Sequence, residues 1–255
     1  MTALRILPLR LFGGLLAVLI LIHGLHAAVA IATESVLFSW SETRWDSVGL
    51  APPPALTPEP VLQVYAARTF GWKGVFAVHS WIAFKRAGAS AYQRYEVVGW
   101  RVWRGGSAVR RSGHPPDGRW AGHEPELLLD LRGAHVERLI DQVVAEIERY
   151  ADAKIYRTWP GPNSNTFIAE LARSVPGLGL ELPPTAIGKD YLSGLRVIAP
   201  APSNTGWQLS LFGVIGATVA WREGLELNLL GCTFGIDFED LAVKIPGFGA
   251  LPLAG

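Results

Sequence analysis

The chain has 255 residues, enough to bury one sizeable hydrophobic core in one or two domains. Its 23 Lys and Arg residues are balanced by 22 Asp and Glu residues, and the net charge of +1 gives no indication of a nucleic-acid partner. Cys232 is the only cysteine, which excludes an intramolecular disulfide framework and a multi-cysteine zinc site. The sequence has no phosphate-binding glycine loop or dinucleotide fingerprint, so we predict no cofactor and no metal.

The N-terminal part of the chain has the pattern of a membrane segment. Residues 11–33 are uncharged and follow Arg5 and Arg10. At about 1.5 Å per residue, a helix of this length just crosses the hydrocarbon core of a bilayer. Because the arginines hold the N-terminus in the cytoplasm, we predict a protein of the bacterial inner membrane whose globular part lies in the periplasm or outside.

A cleaved secretory signal is the alternative interpretation of residues 1–33. Its apolar part would cover residues 11–22, Gly24 would break the helix, and Ala28-Val29-Ala30 would supply a cleavage site. We favour an uncleaved transmembrane anchor because Trp40 and Trp45 are suited to the outer interface of the membrane. Both interpretations place the rest of the chain on the same side.

The remaining chain divides into a linker and one α+β domain. Residues 34–60 are rich in proline and predict a linker, and residues 61–255 predict a domain in which helices pack on an antiparallel sheet. Strands are predicted from alternation, and helices from apolar spacing and start signals. The strands are expected at 61–66, 75–84, 95–103 and 127–131, the helices at 134–153 and 165–174, and β-like runs at 207–220 and 225–234 on either side of a turn at 222–224.

Residues 159–167 (Trp-Pro-Gly-Pro-Asn-Ser-Asn-Thr-Phe) form the most informative stretch. The prolines and glycine predict a tight turn that delivers Ser164 to the first turn of a helix. Unpaired backbone N–H groups there favour negative charge, so a nucleophile or an oxyanion would be stabilised at this place. A helix start is equally the usual place for a capping Asn or Ser, and both interpretations stay open.

The run Asn163-Ser164-Asn165-Thr166-Phe167 resembles the Asn-Cys-Asn-x-Phe signature of circularly permuted papain-like proteins. These include relatives of lecithin:retinol acyltransferase, permuted NlpC-type amidases and deSUMOylating isopeptidases. In that arrangement a histidine on a strand precedes the nucleophile, as His79 does here, and some members carry a carboxylate on the next strand, where Glu96 lies. The resemblance implies a permuted papain-like core in which the helix of residues 165–174 packs on the sheet that carries His79 and Glu96.

The resemblance also implies an activity, although Ser164 replaces the family's cysteine. His79 would act as general base for Ser164 and Glu96 would fix its tautomer, giving amide or ester hydrolysis or acyl transfer on a peptidoglycan or lipid substrate of the envelope. Asn163, Asn165, Trp81 and Trp159 are the candidate residues for substrate binding or for the oxyanion. The loss of the cysteine equally fits an inactive domain that binds an envelope ligand or partner, and a structural envelope protein is the third alternative.

Without the resemblance, the same residues have simpler interpretations. His79 in an apolar strand predicts a core histidine, and the alternation of Glu96 with Val97 predicts an exposed carboxylate. His114 and His123 flank a loop with no third ligand at metal spacing, and Cys232 is expected to be buried and inert. Residues 61–255 also resemble an uncharacterised family of bacterial membrane-associated proteins, which implies no particular activity.

Overall fold

The computed structural model describes residues 43–253 and seven helical positions between residues 17 and 29. The predicted membrane segment, residues 11–33, therefore lies largely outside the described residues, as do Arg5, Arg10 and Trp40. Within the described part of the chain, no helix combines the length and the hydrophobicity that a membrane crossing requires.

The protein is α+β, with two antiparallel sheets and few helices. The first sheet has the strand order β4-β3-β2-β1-β5. Its strands are β1 (Val61–Arg68), β2 (Val78–Lys85), β3 (Gln93–Val97), β4 (Val109–Ser112) and β5 (Glu126–Arg132), and the helices are α1 (Gly99–Trp103), α2 (Val136–Arg149) and α3 (Ser164–Ser174).

Both faces of the first sheet are covered. On one face, α2 and α3 pack on β1 and β2, and the core there includes Leu62, Ile82, Ile140 and Phe167. The opposite face carries a second cluster that contains Trp81. Because both faces are buried, the sequences of β1 and β2 are nearly continuous apolar runs. Truncating one large side chain of such a core to Ala lowers the unfolding free energy by about 2–5 kcal/mol.

Two of the predicted strands in this sheet have different ends in the structure. The strand expected at 95–103 stops at Val97, and the chain then forms α1. Gly99 lies so close to the ring of Tyr156 that a β-carbon would stand 2.5 Å from it. The strand expected from residue 75 begins at Val78, because Gly71–Val75 forms a 3₁₀ helix that precedes it.

The predicted linker covers residues 34–60, of which the structure describes 43–60. The helical structure in this described part is one 3₁₀ turn at Pro54–Leu56. Asp117 accepts hydrogen bonds from the Ser47 hydroxyl (2.7 Å) and the Leu50 N–H (2.6 Å). The buried Lys85 ammonium donates to the carbonyl of Glu59 over 2.6 Å. These contacts hold this segment against the domain.

The second sheet is a meander in which each strand pairs with the next one in the chain. The two predicted β-like runs each divide into strands, and the predicted turn at 222–224 joins two of them. The strands are β6 (Ile198–Pro200), β7 (Gly206–Leu211), β8 (Ile215–Ala220), β9 (Gly224–Leu229), β10 (Cys232–Asp237), β11 (Ala242–Ile245) and β12 (Gly249–Pro252).

A buried ionic layer, formed by Lys189, Asp190, Glu226, Asp237 and Lys244, lies on the inner face of the second sheet. Lys189 Nζ lies 2.5 Å from Glu226 Oε2 and 3.1 Å from Asp190 Oδ1. Lys244 Nζ lies 3.0 Å from Glu226 Oε1 and 3.4 Å from Asp237 Oδ2. Because a buried charge without a partner costs several kcal/mol, as an order of magnitude, these contacts bind the sheet to residues 189–190.

Candidate functional site

Asn163, and not Ser164, caps helix α3. The Asn163 side chain accepts hydrogen bonds from the N–H groups of Asn165 (2.9 Å) and Thr166 (3.1 Å), and the Thr166 hydroxyl accepts from the Asn163 N–H over 3.1 Å. This reciprocal pair is a capping box. Ser164 is the first residue of the helix, and among the described residues neither its hydroxyl nor its N–H has a hydrogen-bond partner.

The amides of Asn163 and Asn165 fix the position of this helix start. Asn163 Nδ2 donates to the carbonyls of Thr158 and Ile187, each over 3.0 Å. Asn165 Nδ2 donates to the carbonyls of Val78 (3.0 Å) and Ile187 (2.8 Å), and its oxygen accepts from a serine hydroxyl of β2. Both amides are occupied by these bonds, so they position Ser164 rather than offer free donors to a substrate or an oxyanion.

This arrangement separates the stability effects of two neighbouring residues. Replacing Asn163 by Ala is expected to cost about 2 kcal/mol, the upper end for a helix cap, because two backbone N–H groups lose their acceptor. Replacing Ser164 by Ala is expected to change the unfolding free energy by less than about 0.5 kcal/mol, since its hydroxyl makes no hydrogen bond there. Urea denaturation of the two variants measures both values, and equal losses would contradict the assignment of the cap.

His79 and Glu96 are in contact beneath the cavity. His79 Nε2, on β2, lies 3.2 Å from Glu96 Oε2, on β3. Glu96 also accepts from Arg94 Nη2 (3.0 Å) on its own strand and from Arg110 Nε (2.8 Å) and Nη2 (2.6 Å) on β4. The carboxylate is completely buried, so the exposure that its alternation with Val97 predicts is wrong: this face of the sheet is covered as well.

The electrostatics of this cluster define the state of the imidazole. Burial opposes ionisation of Glu96, but the hydrogen bond from His79 and the charges of the two arginines outweigh it and hold the pKa of Glu96 far below its usual range. Burial lowers the pKa of His79, and Glu96 opposes this only in part. His79 is therefore neutral at neutral pH. Because an ionised carboxylate only accepts, Nε2 carries the proton and Nδ1 keeps its lone pair.

Aromatic rings hold this cluster in place. The His79 ring stacks on Trp120 with a centroid distance of 3.6 Å and an interplanar angle of 16°. The Arg94 guanidinium lies over the Trp81 ring at 3.9 Å, and the Trp81 N–H donates to the Pro116 carbonyl over 2.7 Å. Trp81 is fully buried, so it supports Arg94 and does not reach the cavity as the predicted role in substrate binding requires.

A cavity of about 630 Å³ is bordered by both His79 and Ser164. Many of the other lining residues are aromatic. Trp159 lies half-exposed at the edge of the cavity, and its N–H donates to the Leu230 carbonyl over 2.9 Å. Cys232 also lines the cavity, but burial raises the pKa of its thiol, which disfavours the nucleophilic thiolate. The aromatic lining residues include Phe70, Trp72, Phe76, Trp100, Trp103 and Tyr156.

The three predicted catalytic residues are only partly connected. His79 contacts Glu96, whereas no hydrogen bond joins the Ser164 hydroxyl to the imidazole within the described residues. The neighbours of His79 on β2 face helix α3, as the 2.8 Å bond from Ser80 Oγ to Asn165 shows, and His79 itself extends from the other face of the strand. Ser164 and His79 both border the cavity.

The sequence interpretation missed Arg94, Arg110 and Trp120. A signal for Arg94 was available, because residues two apart on a strand share a face and Arg94 precedes Glu96 by two. Arg110 stands opposite Glu96 in the register of β3 and β4, which required knowledge of the pairing. Among the described residues no group of three His, Cys, Asp or Glu side chains could hold a metal ion, and His114 stacks on Trp45 at 4.7 Å.

Comparison with known proteins gives one match. The family described as "Protein of unknown function (DUF3750)" matches residues 59–191. The matched segment contains β1–β5, helices α1–α3 and the residues His79, Glu96 and Ser164, and it ends before the second sheet. No curated protein and no solved structure matches the chain.

Proposed function

The chain belongs to the DUF3750 family, and we propose that this member binds a molecule with a large apolar group in the cavity and cleaves or transfers an acyl group at an ester or amide bond. Ser164 is the proposed nucleophile, His79 the general base and Glu96 the residue that orients it. The order of histidine, carboxylate and helix start agrees with a permuted papain-like arrangement, which we propose as the ancestry of residues 59–191.

The observation that carries the proposal is the state of His79. Its Nε2 proton is directed to the ionised Glu96, so the lone pair of Nδ1 is left for a proton from a group in the cavity. The imidazolium that forms would be stabilised by the same carboxylate. A histidine that only filled the core would have no need for a fully buried carboxylate beside it, held by two arginines.

The proposed reaction begins when Ser164 Oγ attacks the acyl carbon and its proton passes to His79 Nδ1. The electron pair of the carbonyl moves to oxygen, and the unpaired N–H of Ser164 donates to that oxyanion. Collapse breaks the bond to the leaving alcohol or amine, which takes the proton from His79. Water, or a second alcohol or amine, then attacks the acyl-enzyme by the reverse path. The hydroxyl must approach His79 on substrate binding, as catalytic hydrogen bonds tighten in the bound complex.

The lining of the cavity favours an acyl substrate with an apolar chain or ring. Most of the lining surface is apolar and much of it aromatic, and the polar lining residues besides Ser164 and His79 include Thr69, Lys73 and Thr158. Such a lining provides hydrophobic burial, at about 25 cal/mol per Å² of apolar surface, and little hydrogen bonding. A lipid ester or amide fits this better than a peptidoglycan peptide, whose many polar groups would lose their water without replacement.

A fluorophosphonate probe tests the assignment of the nucleophile. The full chain is expected to be labelled at Ser164, and Ser164→Ala and His79→Ala should each abolish labelling, corresponding to a loss of at least about 10³-fold for a nucleophile or its base. Ser174→Ala is the matched control, because Ser174 is exposed at the other end of the same helix. Absence of labelling in folded protein would overturn the proposed catalysis.

The second candidate function is binding of the same apolar ligand without reaction. The missing hydrogen bond between Ser164 and His79 and the stacking of His79 on Trp120 favour it. An inactive domain would bind a fluorescent fatty-acyl ligand equally well in the wild type and in Ser164→Ala, with no product and no labelling. The size of the cavity gives no support to a purely structural role, since that role has no use for an open pocket.

A further inference from the structure

The second sheet has an apolar outer face. Cross-strand partners on β7 to β12 align in rows on this face. Among the strand residues described here, none that points outward is charged, and the outermost row shows the pattern. That row consists of Leu251, Val243, Ile236, Leu225, Val219 and Trp207.

This polarity is the reverse of that in an ordinary solvated sheet, where apolar side chains face the core and polar ones face water. The inward positions of β9 are Glu226 and Asn228, and their outward neighbours Leu225, Leu227 and Leu229 are each more than two-fifths exposed. The buried ionic layer holds the polar side inward. The apolar side cannot turn inward, because a strand that slips by one residue would bury the leucines and expose the paired charges.

The two ends of the second sheet differ in charge. At the end beside the cavity, the turns β7–β8, β9–β10 and β11–β12 present Phe212, Leu230 and Phe248, all exposed and none charged. At the other end, the turns β8–β9 and β10–β11 carry Arg222 and Glu239, which lie 3.6 Å apart and are about two-fifths exposed. The outer face is therefore apolar along its whole length, and the turns at the end opposite the cavity add charged side chains beside the exposed Trp221, Phe238 and Leu241.

The side chains on the outer face favour lipid over protein as the partner that covers it. Protein interfaces make about one hydrogen bond per 100–200 Å² of buried area. The outward strand side chains offer only the Trp207 N–H and the Cys232 thiol, so a protein partner would find almost no polar contacts. The hydrocarbon of a lipid bilayer forms no hydrogen bonds, so contact with it leaves no polar partner unsatisfied.

The residues around the cavity also favour lipid as the partner of this face. Trp72 and Trp103 are exposed at its wall, and Cys232 belongs both to the cavity and to the outer face, so the two apolar surfaces are continuous. Tryptophan is the residue that prefers the boundary between water and lipid. At the same end, Ala27 of the apolar N-terminal part packs beside Val75.

We propose that the outer face of the second sheet lies on a lipid bilayer, with the uncharged turns in the hydrocarbon and the turns of Arg222 and Glu239 at the aqueous side. The cavity mouth, where Trp72 and Trp103 lie near the exposed Lys73, is then at the boundary between lipid and water. This docking does not depend on whether Ser164 is a nucleophile. Its consequence is that the cavity opens toward the membrane, so that its ligand can enter directly from lipid.

Nitroxide labels on the full chain test the docking surface. In a Cys232→Ser background, single cysteines are introduced as Leu227→Cys on the outer face, Glu239→Cys at the charged turn and Gln142→Cys on the exposed side of α2. The protein is reconstituted in vesicles of phosphatidylethanolamine and phosphatidylglycerol. Relaxation by oxygen, which concentrates in lipid, is compared with relaxation by a water-soluble nickel chelate. The oxygen-to-nickel ratio at 227 is expected to exceed that at 142 and 239 several-fold.

Three results of this experiment test whether the outer face of the second sheet contacts the bilayer. A ratio at 227 equal to that at 142 would overturn the proposal, because residues 11–33 could then anchor the chain without the sheet touching the bilayer. Spin–spin broadening at 227 that grows with the protein-to-lipid ratio, with a low oxygen ratio, would assign the face to a second copy and also overturn it. Adding Leu209→Asp to the chain labelled at 227 should bring the ratio back to that at 142 while the circular dichroism spectrum stays unchanged.

Discussion

Replacing Glu96 by Gln is expected to lower the unfolding free energy by about 3–5 kcal/mol, because the substitution leaves the charges of Arg94 and Arg110 without their buried partner. Arg94 is almost completely buried and Glu96 completely so, which keeps water from taking over the lost hydrogen bonds. Urea denaturation of the full chain in mild detergent measures the loss.

Glu146→Gln is the matched control for this substitution. Glu146 pairs with Arg149 on helix α2, at 3.0 Å and with the arginine two-thirds exposed. Such a surface pair contributes about 0.2–1 kcal/mol, so this variant should stay close to the wild type. If Glu96→Gln cost no more than Glu146→Gln, the cluster beneath the cavity would have to be open to water, and the argument for a fixed His79 tautomer would fail.

Replacing Ser164 by Cys is expected to produce a thiol with a pKa well below the usual value of about 8.5. The first N–H of α3 favours the thiolate, and His79 Nδ1 can take the thiol proton, so that a thiolate and an imidazolium form as an ion pair. In a Cys232→Ser background, alkylation by iodoacetamide at pH 6 should be at least about tenfold faster than that of a cysteine with an ordinary pKa. The dependence of the alkylation rate on pH gives the pKa directly.

Cys232 of the wild type is the internal comparison for this experiment. It lines the same cavity, so access of the reagent is similar, but burial raises the pKa of its thiol. Alkylation at position 164 that rises only above pH 8, as expected at Cys232, would mean that the helix and His79 do not activate this position. In that case the binding function without reaction becomes the better account of the cavity.

The parts of the structure set by local chemistry could be predicted from the sequence. Apolar residues at helical spacing indicated α2, and the structure has it at Val136–Arg149. The Pro/Gly turn with Asn163 and Ser164 indicated the start of α3, which begins at Ser164. Which of these two residues caps the helix depends on φ, ψ and side-chain rotamers, and a sequence of two capping residues in a row does not specify them.

Other features depend on pairing between distant segments. Glu96 alternates with Val97, and alternation predicts one buried and one exposed residue only when one face of a sheet is solvated. Here Trp120, far along the chain, covers the second face. The same limit applies to the second sheet, because the alternation of Leu225, Glu226 and Leu227 is identical whichever face is buried.

The buried ionic layer bears on how this chain can be divided. The family match ends at residue 191, directly after Lys189 and Asp190, so two charges inside the shared segment depend on Glu226 and other groups beyond it. A boundary drawn from similarity alone would separate Lys189 from the Glu226 carboxylate, and Asp190 from the Gln208 amide and the Thr233 hydroxyl. In this protein the meander supplies polar partners to the recognised segment, and relatives that lack such a meander must satisfy, replace or expose the residues at these two positions.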